Sequence, residues 1–295
     1  MSDAETISSI NSWLNDVHEY VRMKAPEILP LLEMYEAEAR FGRGYVASDM
    51  NGLNNGASVL EVGAGSLLLS CQLVREGFDV VALEPLGTGF SHFDSMRKLV
   101  MDRAVALGYM PQILNQRAED LSIRERFDYA FSINVMEHVD DVEAVIANVG
   151  NSLHPNGFYR FTCPNYLFPY EPHFNIPTVF SKKLTEKIFN QRIFAKRSMW
   201  DVEGMWASLN WIDVPRIRRI VERMPELRAE FNRSFLVTTL ERIQTDRDFA
   251  MRRSVWMRRI LQLFLKLRLH RLAGWIPAVL QPVIDCRLTR IGKLE

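Results

Sequence analysis

The stretch Ala57-Ser58-Val59-Leu60-Glu61-Val62-Gly63-Ala64-Gly65-Ser66 constrains this fold more than any other part of the chain. Its first six residues are an apolar, β-rich run and predict a buried strand. Gly63 and Gly65 come next, where the chain has to turn. They lack the side chains that would hold a ligand off the backbone, and they tolerate left-handed conformations. Ser66 is then placed to cap a helix over Leu67–Arg75. A strand, a glycine turn and a helix in that order present free N–H groups at a helix N-terminus, which suits a nucleotide-like or carboxylate-bearing ligand. About 20 residues further on, a second apolar run, Phe78 to Leu83, ends in Glu84, placed to take ribose hydroxyls.

Strands and helices alternate from there. Gly89–Gly108 predicts a helix, Gln112–Asn115 a short strand, Phe127–Val135 a strand, and Asp140–Ser152 a helix. Leu153–Gly157 reads as a turn and Phe158–Thr162 as a fifth strand. This alternation implies an α/β fold with a doubly wound, mainly parallel, Rossmann-like sheet, whose ligands sit beyond the carboxyl ends of the strands. Two helices precede the sheet, over 4–23 and from Pro26 to Ala39, with Phe41-Gly42-Arg43-Gly44-Tyr45 breaking the second. The linear organisation expected is a helical cap over 1–50, a ligand-binding core over 51–164, and an insertion over 165–213. The rest of the core, with a basic and largely helical C-terminal region, occupies 214–295.

Charge is distributed unevenly along the 295 residues. Residues 1–215 carry 18 Lys/Arg against 28 Asp/Glu, and residues 216–295 carry 18 against 8. The basic tail is either a solvated face paired with the acidic body or a contact for an anionic membrane surface. Leucines alternate with basic residues over Ile260–Leu272, which gives poor face separation on a helical wheel. Three isolated cysteines, Cys71, Cys163 and Cys286, fit neither a disulfide framework nor a zinc site and suggest a reducing compartment. The acidic N-terminus lacks a signal-peptide pattern, and no apolar run approaches ~18 residues. These features predict a cytoplasmic protein, with peripheral contact at the inner face of a membrane as a further expectation.

Two ligand classes compete for the glycine turn. A dinucleotide site wants a third glycine at position 68, where Leu68 stands. The pattern acidic-x-Gly-x-Gly-x-Gly, met by Glu61, Gly63 and Gly65 with Leu67 in the last place, resembles the first motif of class I S-adenosylmethionine-dependent methyltransferases. Three further segments are similar to that family, in the right order. Ala118-Glu119-Asp120-Leu121 resembles the loop that wraps the adenine, with Arg117 where an aspartate is common. Phe127–Val139 resembles the fourth strand and its Glu-His pair. Leu153-His154-Pro155-Asn156-Gly157 resembles the Leu-x-Pro-Gly-Gly turn. The resemblance spans residues 57–164 and implies S-adenosyl-L-methionine as cofactor. It implies contacts from Glu61, Gly63, Ala64, Gly65, Glu84, Ala118, Glu119 and Asn134. Glu61 would serve the methionine ammonium and Glu84 the ribose diol.

Methyl transfer is an in-line displacement at an activated sulfonium, so alignment is the protein's main task, and a base helps when the acceptor is a hydroxyl. His138, after the fourth strand, and His173 are the base candidates. Asn134-Val135-Met136-Glu137-His138 is similar to the Glu-x-x-Glu-His metal pattern of ubiquinone-pathway O-methyltransferases. Asn134 replaces the first glutamate, and no metal site is expected. From Cys163 to Pro177, prolines and aromatic residues exclude a regular helix or central strand. The segment reads as the start of an acceptor insertion or as an aromatic-stapled loop.

The expected function is methyl transfer to a small, lipid-linked or glycan acceptor, at oxygen. The alternatives are a non-catalytic scaffold or membrane-associated subunit of the same fold, and a nucleotide-dependent oxidoreductase. No specific nucleic-acid partner is expected, because neither an Asn-Pro-Pro-aromatic motif nor a basic-aromatic module occurs.

Overall fold

The computed structural model describes residues 3–85, 91–194, 201–245, 250–251 and 255–292. Seven strands form one sheet: β1 (Ser58–Val62), β2 (Asp79–Leu83), β3 (Gln112–Leu114), β4 (Phe127–Ile133), β5 (Leu153–Pro164), β6 (Leu227–Phe231) and β7 (Val283–Arg290). Their order is β3-β2-β1-β4-β5-β7-β6. β1 pairs in parallel with β2 and β4, and β2 with β3, while β6 and β7 are antiparallel. The mainly parallel α/β sheet expected from the alternating pattern is therefore present. The chain divides into two compact units, residues 1–133 with 144–159, and residues 134–143 with 160–295.

In the first unit, α1 (Asp3–Lys24) and α2 (Leu29–Asn51) precede the sheet. α3 (Leu68–Arg75), α4 (Ser91–Leu107) and α5 (Val142–Ser152) alternate with its strands. The start of α4 expected at Gly89 lies outside the described residues. One buried cluster joins Trp13, Leu14 and Val17 of α1 to Leu32 of α2, Leu68 and Cys71 of α3, and Met96 and Val100 of α4. Trp13 Nε1 donates to the Leu68 carbonyl at 3.0 Å, and Arg103 holds Asp16 at 2.6 Å. The N-terminal helices thus pack onto α3 and α4.

The predicted break at 41–45 is absent: α2 runs unbroken to Asn51. The residues expected to break it have other uses there. A Cβ on Gly42 would lie 2.8 Å from Leu69 Cδ2 and 3.0 Å from Ile133 Cδ1, so this glycine brings the helix close to α3 and β4. The next residue, Arg43, is buried and pairs with the buried Glu76 carboxylate at 2.8 Å. Removing one member of such a pair strands the other charge, at a cost of about 3–5 kcal/mol. Gly44 has open space around it.

The turn expected over Leu153–Gly157 lies inside a longer strand, because β5 already begins at Leu153. Asn156 keeps the positive φ, +68°, that the turn reading required. At Gly157 a Cβ would meet the carbonyl oxygens of Phe127, Asp128 and His154, each at 3.0 Å.

The second unit contains α6 (Lys182–Phe194), α7 (Val202–Ser208), α8 (Val214–Val221), α9 (Phe235–Thr245) and α10 (Val255–Lys266). In the C-terminal region β6 and β7 complete the sheet beside α8, α9 and α10. Arg160 of β5 bonds Asp285 of β7 at 2.9 and 2.7 Å, so two distant segments share a buried ion pair. β7 was not among the strands expected, although Ile284, Cys286 and Leu288 alternate with Asp285, Arg287 and Thr289 along it. Arg218 and Arg219 of α8 are exposed, whereas Arg216 is half-buried and donates to the Asn210 carbonyl at 3.1 Å.

In α10 the apolar residues separate better than the alternation suggested. Leu265 turns inward, whereas Ile260, Leu263, Phe264 and, one residue past the end of the helix, Leu267 are exposed. Their i, i+3, i+4, i+7 spacing puts them on one outward stripe. No helix among the described residues is long and apolar enough to cross a membrane.

The surroundings of two glycines, Gly44 in α2 and Gly157 in β5, predict opposite effects. Gly44→Ala stabilises by ~0.5–1 kcal/mol, the helix-propensity gain at an open site. Gly157→Ala, facing backbone that cannot yield, destabilises by ~1–3 kcal/mol. Denaturant unfolding measures both, and a destabilised Gly44→Ala protein would contradict an unbroken α2.

Candidate active site

The glycine turn leaves β1 with three left-handed residues in alternation, Gly63 (φ +75°), Gly65 (φ +50°) and Leu67 (φ +67°). Leu67 therefore occupies a conformation that suits glycine. A left-handed leucine costs roughly 1–2 kcal/mol. Its side chain is fully buried, which returns ~1.5–3 kcal/mol. Helix α3 begins at Leu68, with Leu67 as its N-cap and no side-chain cap. Ser66 does not cap it, because the left-handed residue intervenes.

The turn's N–H groups are largely engaged. Gly63 N donates to the Leu83 carbonyl at 2.8 Å, and Gly65 N donates to Glu84 Oε2 at 3.0 Å. The second contact joins the ends of β1 and β2. It fixes the Glu84 carboxylate beside the turn. Burial raises the Glu84 pKa, while the Gly65 N–H and Arg97 pull it down. Glu61 is buried in β1 and accepts from the Ser70 hydroxyl of α3. Burial pushes its pKa up to about 8, against the Ser70 bond, and the nearby Glu84 adds to the rise.

Ala118–Asp120 forms a short 3-10 turn after β3. Ala118 is buried there. Arg117 reaches Glu119 Oε1 at 3.0 Å, and Asn148 donates to the Glu119 carbonyl. Arg117, which departs from the family pattern, thus holds the acid beside it.

Beyond β4 the chain enters the second unit. Asn134 is exposed, has φ +55°, and donates its N–H to the Thr162 carbonyl at 2.8 Å. His138 N closes a turn onto the Val135 carbonyl at 2.8 Å. Asn210 braces that turn, donating from Nδ2 to the carbonyls of Met136 and Val139, both at 2.7 Å. Glu137, His138 and His173 come together there, with one ligand atom from each within 4.8 Å of the others. Glu137 is fully buried and neither carboxylate oxygen has a hydrogen-bond partner. Burial raises its pKa to about 7, although His173 opposes the rise. Burial lowers His138 to about 3, helped by His173 and Lys182.

His173 is positioned by a residue that the sequence pattern does not mark. Buried Glu171 accepts from the Tyr166 hydroxyl at 3.3 Å, from Phe174 N at 2.6 Å, and from His173 through its backbone N and its Nδ1. Glu171 and Ile176 exchange backbone bonds and close the loop. Tyr166 stacks on Trp211 at 4.4 Å, and Trp206 lies edge-on to both Trp211 and Phe174. These rings pack on one another, so the proline-aromatic segment is a stapled loop that holds Glu171 and His173. Ser208 was also missed; its Oγ lies 2.8 Å from His138 Nδ1. The one available signal for Glu171 was its isolation as an acid among prolines and aromatic residues.

A family model for a methyltransferase domain matches residues 40–251. The chain belongs to the methyltransferase-domain family. An uncharacterized protein of Mycobacterium tuberculosis is 46% identical over 281 residues, 95% of each chain. The ubiquinone biosynthesis O-methyltransferase of Aliivibrio fischeri is 31% identical over 133 residues, 42% of this chain and 53% of that protein. Among solved structures, an S-adenosylmethionine-dependent methyltransferase from Mesorhizobium loti superposes with a TM-score of 0.47 at 16% identity, covering 82% of this chain and 95% of that one. The protein therefore carries a methyltransferase domain over most of its length. Its glycine turn and Glu84 are brought together within the first unit, and its two candidate histidines within the second.

The buried Glu61 makes stability depend on pH in the ligand-free methyltransferase. Its folded pKa, about 8, stands above the ordinary 4.5. The folded state therefore keeps a proton that the unfolded state releases, so stability is full below the lower value and falls as pH rises through the upper one. Glu61→Gln removes that loss. Relative to the variant, the wild type loses on the order of 5 kcal/mol between these limits. Denaturant unfolding of both proteins across that pH range measures it, and a constant difference would show that Glu61 is not desolvated.

Proposed function

We propose that this methyltransferase binds S-adenosylmethionine through Glu61, Gly63, Ala64, Gly65, Glu84, Ala118, Glu119 and Asn134, and moves its methyl group to an acceptor oxygen. The observation that carries the cofactor assignment is the Gly65 N–H bond to Glu84, 19 residues apart in sequence. It brings the two motifs the family uses for cofactor onto adjacent strands. A carboxylate already oriented by a backbone donor is preorganised to accept from a ribose diol. Local similarity to ubiquinone biosynthesis O-methyltransferases supports oxygen as the acceptor atom. The acceptor is a small, lipid-linked or glycan molecule, taken by the insertion over 165–213.

His138 and His173 are the groups proposed to act on the acceptor. A pKa near 3 makes His138 a poor proton acceptor at neutral pH but keeps its imidazole uncharged. His173, with a quarter of its side chain exposed, is the better base of the two. The products are the methyl ether or ester, S-adenosylhomocysteine and a proton.

Titration calorimetry with S-adenosylhomocysteine tests the cofactor assignment. One-to-one binding is expected, weakened by Glu84→Ala about 10- to 100-fold, the loss of charge-assisted bonds worth ~1.5–3 kcal/mol. A folded protein that does not bind it would favour the non-catalytic scaffold.

The outward stripe of α10 favours peripheral contact with an anionic membrane from a cytoplasmic location. Ile260, Leu263, Phe264 and Leu267 are exposed together, and Arg259 and Lys266 flank them along one edge. An apolar stripe beside basic residues suits an interfacial helix. Sedimentation with acidic liposomes at low salt is expected to carry the protein down. The double variant Leu263→Glu/Phe264→Glu should lose at least tenfold in partitioning. Equal sedimentation of both proteins would remove α10 from the contact.

A further inference from the structure

Glu137 presents a chemical problem that hydrogen bonding within the chain does not solve. Its carboxylate is fully buried, and neither oxygen has a partner. Unsatisfied buried carboxylates are costly. Its neighbours at that spot are two imidazoles. His138 Nε2 and His173 Nε2 each lie 4.0 Å from Glu137 Oε1, too far for a hydrogen bond.

The far side of each ring explains what the near side offers. The Ser208 hydroxyl donates to the Met205 carbonyl at 2.9 Å, so its oxygen is left to accept from His138 Nδ1–H. Glu171 accepts from His173 Nδ1–H. Each ring therefore carries its proton on Nδ1, and the Nε2 lone pairs are directed to the side where Glu137 lies. An oxygen acceptor that fixes an imidazole tautomer in this way is the usual support of a metal-bound histidine. Two lone pairs and an anionic oxygen that converge on one point are matched by a cation.

We propose that Glu137, His138 and His173 form a binding site for one divalent transition-metal ion. Two nitrogen donors and one carboxylate suit zinc, iron(II), cobalt(II) or manganese, and disfavour magnesium and calcium, which take oxygen donors. Ligands of such an ion stand ~2.0–2.2 Å from it. The three donor atoms lie within 4.8 Å of one another, so side-chain closure of about 1 Å brings them to that geometry. The site differs from the Glu-x-x-Glu-His pattern in the sequence, because Asn134 is exposed and the third ligand comes from the loop after β5. Of the surrounding charged groups, Glu171 favours a cation and Lys182 opposes it. Lys182 Nζ is directed to the carbonyls of Ala207 and Leu209, at 2.8 and 2.7 Å.

This inference deepens the proposed function at one point and rests on it only there: an ion with an open position would polarise the acceptor hydroxyl and ease loss of its proton to solvent, which replaces His173 as the base whenever the ion is bound. Metal binding itself stands without that reading. The experiment uses the full chain, freed of metal with a chelator and titrated with zinc chloride by calorimetry and with cobalt chloride by visible absorption. One equivalent is expected to bind, with cobalt bands typical of nitrogen and oxygen donors.

His138→Gln and His173→Gln should each weaken zinc binding by at least 100-fold. Ser208→Ala, which leaves all three ligands in place, should weaken it about 10-fold. Circular dichroism and thermal melting establish that each variant is folded. His154→Gln, outside the cluster, should bind as the parent does. A folded parent that takes up neither ion, or ion binding unchanged in the Ser208→Ala and both ligand variants, would overturn the site. Because no cofactor is present, failure here is distinct from failure to bind S-adenosylhomocysteine.

Discussion

The bond from Gly65 N–H to Glu84 ties the first unit's chemistry to its sheet. It requires β1 and β2 to be parallel neighbours in register, Val62 opposite Leu83, so that the residues just beyond each strand meet. It also requires a backbone that reverses within four residues. Two glycines permit that at little cost. Leu67 permits it at a cost in backbone strain that the burial of its side chain offsets. The acidic residue is then oriented before any ligand arrives, the preorganisation that binding and catalysis both reward.

The N-terminal helices belong to the same physical arrangement. Trp13 donates to a carbonyl at the start of α3, the helix that the glycine turn launches. The buried cluster around it anchors α3 from the side away from the sheet. Gly42 allows α2 to lie close to α3 and β4, and the buried Arg43–Glu76 pair fixes its rotation. A turn with three left-handed residues is stable only if the helix after it is held firmly, and these contacts hold α3 on its outer face.

The second unit shows how polar groups are used when burial is unavoidable. Glu171 accepts bonds from a hydroxyl, a ring nitrogen and backbone donors, and thereby gives a proline-rich loop its shape. Glu137, as deeply buried, accepts none. Asn210 supports the turn that carries Glu137, using both its side-chain amide and its backbone, whose N–H reaches the Glu137 carbonyl at 2.8 Å. One neighbourhood thus holds one fully bonded buried carboxylate and one with no hydrogen-bond partner.

The sequence by itself determined the parallel core. Apolar runs of strand length, glycines after β1 and an acid after β2 are local signals, and local signals survive without tertiary context. The same locality explains what it could not decide. Whether Phe41–Tyr45 ends a helix depends on whether Gly42 faces another helix or water. Whether Leu67 disrupts the motif depends on a backbone angle that distant packing sustains. The place of β7 in the sheet depends on partners such as Arg160, 125 positions away. Above all, Glu137 and His138 are adjacent in sequence, but His173, Glu171 and Ser208 join them only in three dimensions. Side chains separated by dozens of residues can share a buried carboxylate only after the chain has folded, so the sequence named the two histidines and the tertiary structure alone decided that they meet.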